Sequence, residues 1–218
     1  MSARHNCFDV DIGFLVFPRL NVLDLVGPWE VLSRLADARA HLVWTRPGPV
    51  LGERGMEIAA TTSFQDCPPL DVLVIPGGPG QASLMRHQLL MDFLRESAEN
   101  AKFVCSICTG ALLLAQAGLL KGRQATTHWL ARDMLRTLGV EVVEGQYVFD
   151  GKYVSAAGVS AGIDMALAVA AELAGEAEAQ AIQLALEYAP QPPFNAGSPA
   201  TAPPAIVNKL EAERRSYI

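Results

Sequence analysis

The 218-residue sequence predicts a doubly wound α/β fold, in which a mostly parallel sheet carries helices on both faces. Short apolar runs alternate with helix-forming stretches, which is the order expected for parallel strands joined by helical crossovers. The run at 71–75 (DVLVI) is almost entirely apolar, as in a strand that is buried on both faces. Half of the residues are apolar and 18% are charged, which is typical of a globular protein.

Each predicted strand is a short apolar run bounded by turn residues. Two hairpins are also expected, because Pro-Gly-Pro occurs at 47–49 and Asp150-Gly151 provides turn residues for the second hairpin. The predicted strands cover 9–17, 41–45, 71–75, 103–108 and 140–143, and the hairpins cover 48–62 and 147–155.

The predicted helices begin at capping or helix-initiating residues. Gly27-Pro28 opens the first helix, with proline at the first helical position, and Ser160 can cap a later one. The other helices are expected at about 88–100, from 110 to about 117, from 126–129 to about 138, at about 176–188, and in a short C-terminal segment.

The sequence shows no internal repeat and no change of composition that would mark a second domain. We expect residues 1–189 to form a single α/β domain, with residues 190–218 as a docking arm and short helix of the same domain. Six of the fifteen residues at 190–204 are proline, which predicts an extended segment. Phe194 and Ala196 make this arm apolar enough to dock on the body or on a second subunit.

Composition excludes several classes of function. The formal charge of −6 argues against a nucleic-acid partner, because phosphate binding requires clustered lysine and arginine. No apolar run approaches about 18 residues, so no membrane span is expected. The N-terminus lacks a basic-then-apolar leader, which predicts a cytoplasmic protein.

The four cysteines do not form a disulfide framework, and no Cys/His cluster has zinc-like spacing, so no metal is expected.

The segment at 103–114 carries the strongest functional signal. An apolar strand continues directly into Cys108, then Thr109-Gly110, then a helix, which is the pattern of a nucleophile elbow. A thiol at the start of a helix favours its thiolate form, and an unperturbed cysteine titrates at about 8.5. We therefore interpret Cys108 as a catalytic nucleophile that is largely anionic at neutral pH.

Two other strand ends carry residues that suit chemistry, and ligands bind outside the carboxyl ends of strands in open α/β sheets. Asp24 is predicted to lie in the loop after the first strand. There it either exchanges a proton or a hydrogen bond with Cys108, or caps the helix or tightens the turn. Gly77-Gly78 follows the buried strand, and its backbone N–H groups could stabilise negative charge on a substrate or belong to a plain loop. We expect these strand ends to converge with that of Cys108.

Three further residues have alternative interpretations. The hydroxyl and amide of Thr109 either point into the site or cap the following helix. His128 lies at the start of a helix, where it could contact substrate or be structural. Cys105 and Cys108 form a Cys-x-x-Cys pair, which raises a dithiol redox alternative. Because Cys105 is placed within the strand, we expect it to be a buried, unreactive side chain.

Four segments together resemble the ThiJ/PfpI superfamily. They are Leu23-Asp-Leu-Val-Gly-Pro-Trp-Glu-Val-Leu, Ile75-Pro-Gly-Gly, Ser106-Ile-Cys-Thr-Gly-Ala and Ala125-Thr-Thr-His-Trp. Within that superfamily, Ala161-Gly-Ile-Asp and the proline-rich segment 186–199 are similar to the isonitrile hydratases. The resemblance covers nearly the whole chain. It implies a class-I glutamine-amidotransferase-like fold with a flavodoxin-like sheet.

The resemblance also implies a function. Isonitrile hydratases are homodimers that convert an isonitrile and water to an N-substituted formamide, without a metal or organic cofactor. By this resemblance Cys108 is the nucleophile on a strained backbone, Asp24 is the acid/base and Thr109 is a supporting group. The candidate substrate-binding residues are Leu23, Gly77, Gly78 and His128. The small-molecule substrate would be an isonitrile, which attaches to sulfur as a thioimidate.

Two alternatives within the superfamily stay open. One is a redox-sensing or stress-response protein with an oxidisable cysteine, and the other is an amidase or deglycase. Proteases and glyoxalases of the superfamily usually place histidine after the nucleophile, where this chain has Thr109. The chain also has Ala156-Ala157-Gly158 where the hydratase pattern is richer in glycine, which could stiffen the segment before the Ser160 helix.

Overall fold

Eleven strands and eight α-helices make up residues 10–214, the part of the chain that this computed structural model describes. The strands are β1 Val10–Leu15, β2 Ala38–Trp44, β3 Gly48–Leu51, β4 Glu57–Ala60, β5 Thr62–Ser63, β6 Val72–Ile75, β7 Phe103–Ile107, β8 Gln124–Ala125, β9 Glu141–Val142, β10 Tyr147–Asp150 and β11 Tyr153–Ala156. The helices are α1 Val22–Leu32, α2 Gln81–Leu84, α3 Gln88–Asn100, α4 Gly110–Gln116, α5 Arg132–Thr137, α6 Ala161–Ala174, α7 Glu176–Ala185 and α8 Pro204–Ala212.

A seven-stranded sheet in the order β10-β11-β7-β6-β1-β2-β5 forms the centre of the fold. All neighbouring strands in it are parallel except β10, which pairs with β11 in an antiparallel hairpin. Every residue of β6 is buried, as its uninterrupted apolar sequence predicts. Helices α1, α6 and α7 pack together as one group, and α2, α3, α4 and α5 form another. The predicted doubly wound, mostly parallel α/β class is confirmed.

Most of the predicted elements appear close to their expected bounds. The 88–100 helix, the strand that ends at Cys108 and both hairpins are present. The 126–138 segment instead contains a short 3-10 turn at Trp129–Ala131 before α5. β9 pairs with β8 in a separate two-stranded sheet, and β5 extends the edge of the main sheet beside β2. Residue 9, which was expected to begin the first strand, lies outside the described residues.

The start of the first helix differs from the prediction. α1 begins at Val22, because the Asn21 side chain caps it by accepting a hydrogen bond from the Leu23 N–H at 3.1 Å. Asp24 therefore lies in the first helical turn and not in the preceding loop, and Pro28 lies inside the helix. Proline lacks an N–H, so the Asp24 carbonyl loses its usual helical partner four residues on.

The chain order of the strands creates a crevice above the sheet. After β1 the chain leads to β2 on one side, whereas β6 and β7 lie on the other side of β1. The connections that leave β1 and β6 therefore depart in opposite directions, and ligands bind at such a switch point in open α/β sheets. Asp24, Gly77 and Cys108 follow three adjacent strands of the sheet, which are β1, β6 and β7 respectively.

The proline-rich arm contacts the body of the protein. Gly197, Ser198 and Pro199 line a cavity together with Trp129, and residues of α8 lie beside the same tryptophan.

No helix within residues 10–214 combines the length and apolar character that crossing a membrane requires.

One glycine allows the nucleophile strand and its helix to pack against β6. A β-carbon on Gly110, the first residue of α4, would lie 2.8 Å from the Pro76 carbonyl oxygen and closer still to that of Ile75. Both contacts involve backbone atoms, which cannot move aside without displacing the strand end.

We predict that Gly110→Ala lowers the free energy of unfolding by more than about 2 kcal/mol, because overpacking against fixed backbone is strongly destabilising. Gly197→Ala is the matched control, since no atom lies within 4 Å of a β-carbon there. Urea denaturation followed by circular dichroism measures both variants. Equal stability of the two variants would show that the contact is not tight.

Candidate active site

Cys108 occupies a left-handed backbone conformation at the junction of β7 and α4. Its φ angle is 55°, a region that non-glycine residues seldom adopt. The Cys108 N–H donates to the Ala156 carbonyl at 3.1 Å, and the Cys108 carbonyl accepts from the Thr127 hydroxyl at 2.6 Å. These two bonds, from β11 and from the loop after β8, hold the strained turn that the resemblance implies.

The Asp24 carboxyl points inward from the first turn of α1. Its Oδ2 accepts a hydrogen bond from the Gly77 N–H at 2.9 Å, and the residue is fully buried. Among the described residues, no N–H or O–H group donates to Oδ1. The Cys108 thiol interacts with this carboxyl, so the thiol proton is available to the carboxylate. The expected meeting of the three strand ends is therefore found.

Thr109 links the nucleophile to the glycine loop. Its hydroxyl accepts from the Gly78 N–H at 2.9 Å, and both its hydroxyl and its amide hydrogen-bond to the Cys108 side chain. The hydroxyl makes no capping bond to α4, so the site-facing alternative describes it better than the capping one.

The structure differs from the expectation that Gly77 and Gly78 offer free N–H groups to a substrate. Both amides are already engaged, one by Asp24 and the other by Thr109. A β-carbon on Gly77 would lie 2.9 Å from Asp24 Oδ2 and 2.7 Å from Thr109 Oγ1, so glycine is needed for this close approach. The loop positions these two side chains, and its N–H groups do not form an oxyanion hole.

The electrostatics of the pair also differ from the sequence expectation. Burial raises the pKa of Asp24 to about 7, with a smaller contribution from the charge of Glu53. Burial and the neighbouring Asp24 raise the pKa of the Cys108 thiol well above its usual value, against the lowering effect of the Thr109 hydrogen bonds. These shifts favour a neutral Cys108 thiol beside the Asp24 carboxylate, whereas the place of Cys108 before α4 favours a thiolate.

A cleft of about 430 Å³ opens above the pair. Cys108 reaches its floor with 4% of its surface exposed. Asp24 lies behind it and does not line the cleft. The walls are formed by Asn21, Val22, Leu23, Glu53, Arg54, Met56, Gly78, His128 and Val159. The structure thus brings Leu23, Gly78 and His128 to the cleft, whereas Gly77 lies underneath with Asp24.

His128 is held as a neutral ring at the wall of the cleft. Its Nδ1 accepts from the Leu130 N–H at 3.3 Å, so the proton of the neutral ring lies on Nε2. Burial, together with the positive charge of Arg132, lowers the pKa of His128 to about 4. His128 can donate one hydrogen bond but is a poor general base near neutral pH.

A second cavity of about 460 Å³ adjoins the cleft and shares Leu23, His128 and Val159 with it. Ala157 and Gly158 of the alanine-containing segment line this cavity, as does the proline-rich arm. The preceding residue, Ala156, provides the carbonyl that binds the Cys108 N–H. This segment therefore supports the nucleophile as well as leading to α6.

The other cysteines are separate from this chemistry. Cys105 is completely buried in β7, and burial raises the pKa of its thiol to about 12. It has the inert environment expected for it, which does not suit a dithiol pair. Cys67 is a free thiol, and Cys7 lies outside the described residues.

Within residues 10–214, no three His, Cys, Asp or Glu side chains are grouped so that they could hold a metal ion.

Several site residues escaped the sequence analysis. Asn21 and Glu53 are among those that line the cleft, and Thr127 binds the Cys108 carbonyl. Thr127 lies in the Ala125-Thr-Thr-His-Trp segment, which could have drawn attention to it. Glu53 belongs to the turn between β3 and β4, and nothing in its local sequence signals its place at the cleft.

Comparison with known proteins gives three close relatives. The chain is 49% identical over 207 residues to an isonitrile hydratase of Pseudomonas putida, covering 95% of this chain and 90% of that protein. It is 32% identical over 144 residues to the deglycase PfpI of Pyrococcus furiosus, covering 65% of this chain and 86% of that protein. A crystal structure of a ThiJ/PfpI family protein from Pseudomonas syringae superposes with a TM-score of 0.92 at 35% identity, covering 99% of this chain and 96% of that one.

Residues 10–172 match the sequence model of the DJ-1/PfpI family, and this range contains both Asp24 and Cys108. The superfamily that the four sequence segments suggest is therefore confirmed, and the chain belongs to the DJ-1/PfpI family.

Proposed function

We propose that the protein is an isonitrile hydratase, a lyase that adds water to R–N≡C to form an N-substituted formamide. The proposal is carried by the Cys108 thiol on its strained turn with the buried Asp24 carboxyl as its proton partner. The extensive identity to the Pseudomonas putida isonitrile hydratase supports it. The reaction needs a nucleophile for the terminal carbon and a group that relays one proton, which this pair provides without a cofactor.

In the first half-reaction the Asp24 carboxylate accepts the thiol proton as sulfur attacks the isonitrile carbon. Asp24 then delivers this proton to the same carbon, which gives the thioimidate R–N=CH–S–Cys108. A carboxyl with a pKa near 7 is suited to both tasks, because its two protonation states are close in energy at neutral pH. The low polarity around the pair costs little free energy here, because the pair and the bound isonitrile together carry one negative charge at every step.

In the second half-reaction water adds to the thioimidate carbon, and collapse of the adduct releases the formamide and restores the thiol. Thr109 holds the sulfur through its amide and hydroxyl. Leu23 and His128 are placed at the cleft to contact the substrate, His128 as a hydrogen-bond donor from Nε2.

The alternatives receive less support from the site. Peroxide reacts with thiolates, whereas burial and the neighbouring Asp24 raise the pKa of the Cys108 thiol, which disfavours a redox sensor. The histidine that follows the nucleophile in proteases and glyoxalases of the superfamily is replaced by Thr109.

We also propose a cytoplasmic homodimer. Free Cys67, Cys105 and Cys108 fit a reducing compartment. Exposed apolar side chains, among them Leu184 and Phe194 at 77% and 78% exposure, offer surface for a second copy.

We expect Cys108→Ala to abolish formamide formation from an aryl isonitrile, because no nucleophile remains. Asp24→Asn should lower kcat about 10²- to 10⁴-fold, the usual contribution of a proton-transfer group, because the amide cannot relay the proton. Formamide is measured by chromatography, and circular dichroism verifies the fold of each variant. Near-wild-type turnover by either folded variant refutes the role assigned to that residue.

The kcat/KM of the wild-type enzyme should fall about tenfold per pH unit below pH 7, because protonation of the pair removes the base. The limb should have an apparent pKa of about 7, which belongs to the Asp24–Cys108 pair as a whole. The raised pKa of Cys108 predicts no matching alkaline limb near neutrality. A rate that stays constant from pH 7 to pH 5 contradicts this charge assignment.

Multi-angle light scattering at micromolar concentration should give twice the mass of the chain. A single-chain mass across the accessible concentration range rules out the homodimer without affecting the proposed chemistry.

A further inference from the structure

The two half-reactions place different demands on the site. The thiol proton is transferred beneath the floor of the cleft, where Asp24 is fully buried. The water that hydrates the thioimidate must come from the open side, and Asp24 does not line the cleft from which it enters. Oδ2 of Asp24 is also held by the Gly77 N–H at 2.9 Å. A carboxylate on the cleft wall would meet this water on the side from which it enters.

Glu53 is the one acidic residue of the described chain that lines this cleft. It lies in the turn between β3 and β4, where a side chain would ordinarily extend into solvent. Its side chain is nevertheless only 17% exposed, whereas that of the adjacent Arg54 is 81% exposed. The charge of Glu53 raises the pKa of Asp24, so the two carboxyl groups are close enough to interact.

The backbone of the β3–β4 turn is fixed against the loop that follows β1. The Glu53 N–H donates to the Leu20 carbonyl at 2.8 Å, and the Arg19 N–H donates to the Leu51 carbonyl at 2.7 Å. A β-carbon on Gly52 would lie 2.6 Å from Val22 Cγ2, so the turn approaches α1 as closely as glycine allows. These contacts fix the backbone of Glu53, which lines the cleft.

The Glu53 carboxylate has room to bind water. Within residues 10–214 its one ion pair is with Arg54, at 3.3 Å between Arg54 Nη2 and Glu53 Oε1. Because that arginine is largely in solvent, the pair is weak and leaves carboxylate lone pairs for another donor. His128 lines the same cleft, and its Nε2–H can donate to the thioimidate nitrogen or to the new oxygen.

We propose that Glu53 is the general base of the hydration half-reaction, accepting a proton from water as its oxygen attacks the thioimidate carbon. This assignment rests on the proposed isonitrile hydratase function. The proton that Glu53 accepts passes to the nitrogen, which gives R–NH–CH(OH)–S–Cys108. The C–S bond then breaks, and the hydroxyl proton returns by way of Glu53 to the departing sulfur. The products are R–NH–CHO and the Cys108 thiol, so protons and electrons balance without a further reactant.

The test separates formation of the covalent adduct from its hydrolysis. Wild-type protein and a Glu53→Gln variant are mixed with an aryl isonitrile, quenched at intervals and analysed by intact mass, while formamide is measured in parallel. Glu53→Gln should form the one-isonitrile adduct on Cys108 at close to the wild-type rate. Its formamide release should be 10²- to 10⁴-fold slower, so the adduct accumulates. Asp24→Asn should show the opposite pattern, with slow adduct formation.

Two further variants control the experiment. Glu57→Gln removes an exposed carboxylate from the neighbouring β4 and should release formamide like the wild type. Glu53→Asp keeps a carboxylate and should release formamide faster than Glu53→Gln. If Glu53 acted only through its charge on Asp24, Glu53→Gln would shift the pH dependence of adduct formation and accumulate no adduct.

Release of formamide by Glu53→Gln at the wild-type rate would falsify the assignment. So would a Glu53→Asp variant that is no faster than Glu53→Gln, or the charge-only pattern. If the wild-type protein yields neither formamide nor an adduct with any isonitrile, the proposed function itself fails, which distinguishes that outcome from an error in the role of Glu53.

Discussion

The proton shared between the Cys108 thiol and the Asp24 carboxyl is the interaction on which the site depends. Two anions in this buried position would repel each other without water to screen them, so the pair holds no more than one negative charge near neutral pH. The sheet order places β1 and β7 on either side of β6, which brings the two residues together. The glycines after β6 then allow the backbone to approach both side chains.

The pair is positioned by neutral hydrogen bonds from the surrounding loops. Gly77 binds Asp24, Gly78 binds Thr109, and Thr127 binds the carbonyl of Cys108. None of these donors is a charged side chain, so none adds a counter-ion that would fix the proton on one partner. This arrangement explains how a left-handed cysteine can be held rigidly while its thiol and the nearby carboxyl exchange one proton.

The sequence predicts the parts of this site that depend on local patterns. Uninterrupted apolar runs identify β6 and β7, and the Cys-Thr-Gly transition identifies the elbow at Cys108. The start of α1 was misplaced because Gly27-Pro28 resembles a helix start more strongly than the Asn21 cap does. The ionisation of Cys108 could not be predicted, since burial and a carboxylate from another crossover outweigh the local helix. Glu53 reaches the cleft because its hairpin turn makes tertiary contacts. The residues next to Glu53 in the sequence form no pattern that predicts those contacts.

The buried Asp24 carboxyl also links the activity of the protein to its stability. Its pKa is about 7 in the folded chain and near 3.8 when unfolded, so the folded state binds the proton more tightly. The contribution of Asp24 to stability is therefore greatest below pH 4 and is lost as pH rises through 7, by at most about 4 kcal/mol. The protonation state that relays protons is the one in which the fold is least stable. Selection for a more robust fold would thus tend to remove the group that the chemistry requires.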